Sequence, residues 1–216
     1  MSQKKFLTGL YAITQAHPGG FSGTLKQVEA ALLGGVRIIQ YRDKQPDDAR
    51  RHTEAEALRT LCHAHAARLI INDDVELAKT VGADGVHVGR EDSDIQNARA
   101  ALGKHAIIGT SCYNQLSLAI AAERAGADYV AFGRFFPSKT KPDAVQAEPI
   151  LLTQARQQLQ IPIVAIGGIT PENGATLIQA GADMLAVINA LFDSEDIQAS
   201  CQRFNQLFDR PERPPS

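Results

Sequence analysis

The sequence predicts a single (β/α)8 barrel of the TIM type, and three features of the chain favour that fold. One phrase recurs, as VGADGVHV at 81–88, AGADYVAF at 125–132 and AGADMLAV at 180–187, with a looser copy, LGGVRIIQ, at 33–40. Each copy ends a segment of helical period with a glycine turn and continues as a strand. Eight such strands can be placed, and their continuously apolar sequences are typical of parallel strands covered on both faces.

The eight predicted strands are short, rich in β-branched residues and separated by segments long enough for a helix. They are 10–14 (LYAIT), 36–41 (VRIIQY), 68–71 (RLII), 84–88 (DGVHV), 106–109 (AIIG), 128–132 (DYVAF), 161–166 (IPIVAI) and 183–188 (DMLAVI). An open, doubly wound sheet is the alternative, but no G-x-G-x-x-G segment follows the first strand, and the number of strands favours closure. No linker divides the chain. We therefore predict one barrel domain over residues 1–208 and a flexible, proline-rich tail over residues 209–216.

The composition excludes several classes of protein. The chain has 216 residues, 44% of them hydrophobic, and its formal net charge of -2 gives no field that would gather nucleic acid or an acidic membrane surface. The chain lacks both an apolar run long enough for a transmembrane helix and the apolar stretch of a secretory signal. Cys62, Cys112 and Cys201 are too far apart to predict a zinc site or a disulfide framework. We expect a cytoplasmic protein that binds small molecules, and the sequence leaves a homo-oligomer open.

Polar residues follow nearly every predicted strand, and in this fold the carboxyl ends of the strands form the active site. After strand 2, Gln40, Arg42 and Lys44 alternate along the chain, so that they share one face, while Tyr41 and Asp43 point the other way. An amide, a guanidinium and an ammonium on one face predict a binding site for an anion such as a phosphate. The alternative is a solvated patch of charge beyond a strand.

Two carboxylates follow neighbouring predicted strands. Asp73 comes after strand 3 and Asp92 after strand 4, so that both can reach one cation. Magnesium takes one or two carboxylates and completes its shell with water and substrate phosphates, which fits this pair. The alternatives are a helix cap at Asp73 or Asp74, with Asp74 favoured for that role, and a solvated acidic loop around Asp92.

Two further segments carry phosphate-binding features. The loop SKTK, residues 138–141, combines two hydroxyls with two ammonium groups, and AIGGIT, residues 165–170, places two glycines before a helix start that can bind an anion. The alternatives are an exposed basic loop and an ordinary tight turn. We interpret His87 as a strand residue that faces either the core or the barrel mouth.

Taken together, these segments resemble the thiamine phosphate synthase family over about residues 7–192. The matching pieces are LYAIT (10–14), GGVRIIQYRDK (34–44), LIINDDVELAKTVGADGVHVGRED (69–92), IIGTSCY (107–113), GADYVAFGRFFPSKTKPDA (126–144), VAIGGITPEN (164–173) and AGADMLAVINALF (180–192). Each piece alone is a weak signal, and the ordered set is specific. The resemblance implies a transferase that joins a hydroxymethylpyrimidine diphosphate to a thiazole phosphate with Mg2+, forming thiamine phosphate and releasing pyrophosphate.

The resemblance also implies three sets of site residues. The pyrimidine diphosphate set is Gln40, Tyr41, Arg42, Asp43, Lys44, Asn72, Ser111 and Lys141, of which Arg42, Lys44, Ser111 and Lys141 form the catalytic group. The thiazole phosphate set is Ser138, Lys139, Thr140, Gly168, Ile188 and Asn189, and the Mg2+ ligands are Asp73 and Asp92. The chain departs from the family pattern at Ala147, where many members have a glycine nearby, and at Asn189, where serine is common. The competing hypotheses are a thiazole tautomerase-like relative, another phosphate-handling barrel enzyme, and a non-catalytic binder of phosphate ligands.

Overall fold

Eight parallel strands close into a barrel in chain order in the computed structural model, which describes residues 7–89, 95–137 and 145–209. The strands are β1 (Gly9–Ile13), β2 (Ile38–Tyr41), β3 (Arg68–Asn72), β4 (Gly85–Val88), β5 (Ile107–Tyr113), β6 (Tyr129–Phe132), β7 (Ile163–Ile166) and β8 (Met184–Val187). The helices are α1 (Gly20–Leu33), α2 (Asp48–Ala64), α3 (Val75–Val81), α4 (Ile95–Leu102), α5 (Leu116–Arg124), α6 (Ile150–Gln158), α7 (Gly174–Ala180), α8 (Asn189–Phe192) and α9 (Ile197–Phe208). The predicted (β/α)8 barrel is confirmed, and the open-sheet alternative is wrong.

The strand ends differ little from the prediction, except in β5. That strand continues to Tyr113 rather than ending at Gly109, and its pairing with β6 shifts between Ser111 and Tyr113. Ser111 therefore lies within a strand and not in the loop that follows it. The predicted tail falls outside the described residues apart from Asp209, and within the described ranges no helix combines the length and apolarity needed to cross a membrane.

Strand alternation separates the apolar residues into two cores. The barrel interior is a cluster that includes Tyr11, Ile38, Ile70, Tyr129 and Met184. The second and larger cluster fills the layer between the outer faces of the strands and the helices. Because successive side chains of a strand point to opposite faces, the same strands supply both clusters. The interior stack supports the floor of whatever site forms at the barrel mouth.

The repeated Gly-Ala-Asp phrase builds a clamp at the amino-terminal ends of β4, β6 and β8. The carboxylates of Asp84, Asp128 and Asp183 each accept a hydrogen bond from the first or second backbone N–H of the preceding strand, over 2.9, 2.8 and 2.8 Å. The backbone N–H of each aspartate donates in return to the carbonyl of the same residue. An arginine pairs with each carboxylate at 2.7, 2.6 and 2.8 Å. The clamp lies opposite the barrel mouth, where residues of this fold serve stability.

Asp128→Ala is expected to lower the free energy of unfolding by about 2 kcal/mol, because it removes a charged acceptor from two hydrogen bonds. The donors left behind are the Ile108 N–H and the Arg99 guanidinium, of which the N–H is the more costly to leave unpaired. Urea unfolding measures the loss. Asp128→Asn is the matched control and should lose less, because its amide oxygen can still accept from Ile108. Equal losses in the two variants would contradict the clamp.

Stability is expected to fall as pH rises above about 9. Burial raises the pKa of the Cys62, Cys112 and Cys201 thiols to about 12, and it raises the pKa of the Tyr11 and Tyr129 phenols above their usual value. In the unfolded chain these groups ionise near pH 8.5 to 10, so the unfolded state binds fewer protons than the folded state above that range. Their contribution is complete below that range and is lost as the pH approaches the folded values. Urea unfolding at pH 7, 9, 10 and 11 tests this, and a stability that stays constant to pH 11 would contradict it.

Candidate active site

A pocket of about 460 Å³ opens at the carboxyl ends of the strands, and all eight strands or the residues directly after them contribute to its wall. The sequence-predicted site residues that line it are Gln40, Arg42, Asn72, Ser111, Gly168, Ile188 and Asn189. Its floor is the top of the interior cluster, where Tyr11, Val164 and Ala186 line the pocket. The volume is in the range of small-molecule sites. The predicted convergence of strand ends on one mouth is confirmed for these residues.

Strand β2 delivers the predicted anion-binding face. Gln40 is buried at the pocket wall, and Arg42 follows two residues later on the same side. The backbone N–H of Arg42 donates to the buried Thr14 hydroxyl over 3.0 Å, which ties the start of the loop to the end of β1. Lys44 extends this row beyond the pocket wall, with its side chain largely exposed. A guanidinium and an ammonium therefore follow one strand end.

Tyr41 and Asp43 lie on the other side of this segment, among the side chains of α2. The Tyr41 hydroxyl donates to Glu54 over 2.7 Å, and Asp43 pairs with Arg50 at 2.6 Å. Burial opposes ionisation of Asp43, but the hydrogen bonds from Arg50 and from the Gln45 N–H and the charges of Arg50 and Arg51 together outweigh it, so the pKa of this carboxyl is lowered. Neither side chain lines the pocket. Tyr41 and Asp43 therefore hold the loop on α2. The contact of the whole segment with the pyrimidine diphosphate stays a prediction.

Asp73 presents its carboxylate beside this cationic face. One of its oxygens accepts from Lys44 Nζ and from Asn72 Nδ2, each over 2.6 Å, and its backbone N–H donates to the His87 carbonyl over 2.8 Å. The residue has φ of 66°, in the left-handed region that aspartate tolerates better than most residues. This backbone turn at the end of β3 brings the side chain to Lys44 and Asn72.

Asp74 is the helix cap, as the sequence favours. Its carboxylate accepts from the Leu77 N–H over 2.8 Å at the start of α3 and also pairs with Arg51 at 2.8 Å. The two neighbouring aspartates therefore have separate roles. Asp74 satisfies a free N–H of the helix, whereas the Asp73 carboxylate contacts Lys44 and Asn72.

A chain of hydrogen bonds that the sequence analysis missed crosses the barrel below the pocket. It joins Gln40, Tyr11, Tyr129, His87 and Ser111 over 2.7, 2.8, 2.9 and 2.9 Å. All but Ser111 are buried, and the two phenols pack edge to face with their ring centroids 5.9 Å apart. The one signal in the sequence was the alternation of side chains along β4, which places His87 on the same face as Gly85. Nothing in the neighbouring sequence identified the hydrogen-bond partners of His87.

The opposite side of the mouth is built from β7, β8 and the segments after them. Gly168 has φ of 64°, and a Cβ there would lie 2.3 Å from the Pro137 carbonyl oxygen, so this approach of two loops requires glycine. Asn189 begins α8, and its amide donates to Gln15 over 3.1 Å and to Asp193 over 3.0 Å. Apolar side chains, two glycines and the Asn189 amide line this side of the pocket, whereas Gln40, Arg42 and Asn72 line the other.

The chain matches the thiamine monophosphate synthase family over residues 10–191. It is 54% identical over 202 residues to the thiamine-phosphate synthase of Nitrosococcus oceani, covering 94% of this chain and 93% of the relative. It is 51% identical over 205 residues to that of Thiobacillus denitrificans, covering 95% and 97%.

The chain belongs to the thiamine monophosphate synthase family. Among solved structures, the thiamine phosphate pyrophosphorylase from Pyrococcus furiosus is similar, with a TM-score of 0.84 and 33% identity over 94% of this chain and 96% of that one. The family resemblance predicted from the sequence is confirmed.

Of the two departures from the family pattern, only Asn189 lines the pocket. Ala147 is buried in the outer core, and its backbone N–H donates to the Arg134 carbonyl over 2.7 Å. Asn189, by contrast, faces the pocket while it bridges Gln15 and Asp193. The substitution at Asn189 is therefore the one placed to change what this side of the pocket binds.

Five of the predicted site residues lie outside the described residues. They are Asp92, Ser138, Lys139, Thr140 and Lys141. Their assignments to Mg2+, to the thiazole phosphate and to the pyrimidine diphosphate stay predictions. Within the described ranges no group of three or more His, Cys, Asp or Glu side chains could hold a metal ion. The assignment of Asp73 to Mg2+ also stays a prediction.

Proposed function

We propose that this protein is a thiamine-phosphate synthase that couples 4-amino-2-methyl-5-hydroxymethylpyrimidine diphosphate to 4-methyl-5-(2-hydroxyethyl)thiazole phosphate. The observation that carries the proposal is the junction of Arg42, Asn72 and the Lys44–Asp73 pair at one side of a pocket that all eight strands line. Both bacterial relatives named above are synthases, which does not favour the tautomerase-like alternative. The products are thiamine phosphate and pyrophosphate.

The diphosphate binds at the β2 and β3 side of the mouth. Arg42 offers a planar pair of N–H donors, Lys44 an ammonium, and Asn72 an amide, and we expect all three to bind one oxygen-rich anion. Lys141, from the loop predicted to follow β6, joins this set. The Lys44–Asp73 ion pair, at 2.6 Å, keeps the ammonium at the mouth before the diphosphate arrives.

The Asp73 carboxylate fits a magnesium site. It is a hard oxygen donor, it stands beside the proposed diphosphate-binding groups, and its orientation is fixed by two side-chain donors. Asp92 is proposed as the second carboxylate. Mg2+, when bound, supplies positive charge that neutralises the leaving pyrophosphate. The set is small, as Mg2+ sites that use substrate phosphates are.

The reaction needs charge stabilisation and alignment rather than a nucleophile from the protein. The C–O bond between the pyrimidine methylene and the diphosphate breaks, both electrons leave with pyrophosphate, and the electron-rich aminopyrimidine stabilises the methylene cation. The thiazole nitrogen then donates its lone pair to form the new C–N bond. Arg42 and Lys44 stabilise the charge that develops on pyrophosphate, and the pocket holds the two reactants in line. Ser111 contacts the pyrimidine ring, and the phosphate of the thiazole lies at Gly168, Ile188 and Asn189.

Turnover of both substrates tests the proposed function. Purified protein with the two substrates and Mg2+ should release thiamine phosphate and pyrophosphate in equal amounts. EDTA should abolish both products, and added Mg2+ should restore them. If the pyrimidine diphosphate binds but no product forms, the protein is not a synthase, and Asn189 becomes the first residue to revert to serine. Product that persists in EDTA would contradict the metal site alone.

A further inference from the structure

The hydrogen-bond chain below the pocket has a definite direction. The amide nitrogen of Gln40 lies 2.7 Å from the Tyr11 hydroxyl oxygen and donates to it. The Tyr11 O–H must then donate to the Tyr129 oxygen, 2.8 Å away. Burial raises the pKa of both phenols well above their usual value, so both keep their protons and act as donors. Each phenol therefore accepts one hydrogen bond and passes one on.

This direction determines the form of His87. The Tyr129 oxygen accepts the hydrogen bond from Tyr11, so the Tyr129 O–H donates to His87 Nδ1, 2.9 Å away. A ring nitrogen that accepts a hydrogen bond carries no proton, and the neutral ring then carries its proton on Nε2. Nε2 lies 2.9 Å from Ser111 Oγ and donates to it. The ring is held in this orientation by stacking on Tyr129, with centroids 5.5 Å apart and an interplanar angle of 23°.

The chain consequently fixes opposite hydrogen-bonding characters at its two ends. Ser111 accepts from His87, so its own O–H points to the pocket as a donor. The amide nitrogen of Gln40 donates to Tyr11, and its amide oxygen accepts no hydrogen bond from the described residues. This oxygen is therefore an acceptor on the side of the pocket formed by β2. A 4-aminopyrimidine offers the complementary pair, an amine N–H and a ring-nitrogen lone pair. A 4-oxopyrimidine offers a carbonyl and a ring N–H instead.

We propose that Tyr11, Tyr129 and His87 are positioning residues that select the aminopyrimidine by holding the Ser111 hydroxyl as a hydrogen-bond donor and the Gln40 amide oxygen as an acceptor. The inference rests on the proposed function and adds to it the means by which the pyrimidine is recognised. A ring with the reversed pattern places a donor against a donor, which leaves buried polar groups unpaired. A mismatch of this kind is the strongest discrimination that a site of this type achieves.

Binding of two matched probes tests the inference. The probes are 4-amino-2-methyl-5-hydroxymethylpyrimidine monophosphate and its 4-oxo counterpart, and calorimetry gives the Kd of each without turnover. The wild-type protein should bind the amino probe at least about tenfold more tightly. Tyr129→Phe removes the donor to His87 Nδ1, so the histidine can change tautomer and Ser111 can turn. The ratio of the two Kd values should then fall about fivefold or more, and Tyr11→Phe, one step further away, should have a smaller effect in the same direction.

Coupling between variants separates this role from a merely structural one. In a Ser111→Ala background, Tyr129→Phe should no longer change the ratio, because the group it orients is gone. In an Arg42→Lys background, which weakens phosphate binding alone, Tyr129→Phe should change the ratio as it does in the wild-type protein. Thermal unfolding confirms that each variant is folded, and Tyr11→Phe replaces Tyr129→Phe in both tests if the latter is not.

Three outcomes overturn the inference. The first is an unchanged ratio in folded Tyr129→Phe or Tyr11→Phe, and the second is an effect of equal size in the Ser111→Ala background. The third is a wild-type protein that binds neither probe. Wild-type turnover is measured separately, so normal turnover with an unchanged ratio rejects only this inference, whereas absent turnover rejects the proposed function.

Discussion

Asp73→Asn is expected to lower kcat by about a hundredfold or more while the barrel remains folded, because it removes charge from a group proposed to hold Mg2+ at the leaving diphosphate. The same change weakens the 2.6 Å ion pair that keeps Lys44 at the mouth. Asparagine is the informative replacement, since it tolerates the left-handed backbone at this position, φ 66°, and an effect on turnover then does not come from strain. Steady-state kinetics over a range of Mg2+ concentrations measures both the loss and any change in the Mg2+ requirement.

Asp74→Ala is the matched control, because it removes a carboxylate one residue away with a different role. Asp74 caps α3 through the Leu77 N–H, so its loss should lower the free energy of unfolding by about 1 kcal/mol and change kcat little. The two neighbours should therefore show opposite phenotypes, one in turnover and one in stability. Similar mild effects in both would mean that Asp73 is a second structural carboxylate, and the proposed metal site would be wrong.

The order of helices and strands could be predicted from the sequence because its signals are local. A glycine after a helix and an apolar run after the glycine each depend on a few neighbouring residues. The role of the recurring aspartate could not be predicted in this way, because Asp84, Asp128 and Asp183 accept hydrogen bonds from backbone groups fifteen to twenty residues earlier. The repeat therefore predicted only the spacing of the elements, and the structure showed that its aspartate fastens β4, β6 and β8 each to the preceding strand.

The same distinction applies to the site. The alternation of Gln40, Arg42 and Lys44 and the capping role of Asp74 follow from local spacing, and the structure places these residues accordingly. His87 looked like an ordinary strand residue, because its partner Tyr129 lies 42 residues away. The two bonded phenols are 118 residues apart. A polar residue inside a barrel is recognisable only when its partners are known, and closure of the barrel is what brings them together.

Gly109→Ala is expected to cost about 3 kcal/mol or more in the free energy of unfolding, which makes it the largest loss of stability we predict. Gly109 pairs with Tyr129 across β5 and β6, and a Cβ at this position would lie 1.9 Å from the phenol carbon Cζ. The ring cannot retreat without cost, since it is fully buried and its hydroxyl bridges Tyr11 and His87. Urea unfolding measures the loss, and the amino-to-oxo binding ratio should fall in the same variant.

A compensating substitution shows whether the clash is the cause. Tyr129→Leu removes the ring that the new methyl group would meet, so Gly109→Ala combined with Tyr129→Leu should be more stable than the sum of the single losses predicts. Additive losses in the double variant would locate the cost elsewhere. If the losses are not additive, the absence of a side chain at Gly109 makes room for the Tyr129 phenol, which orients His87. One glycine then serves both the packing of the barrel and the selection of its substrate.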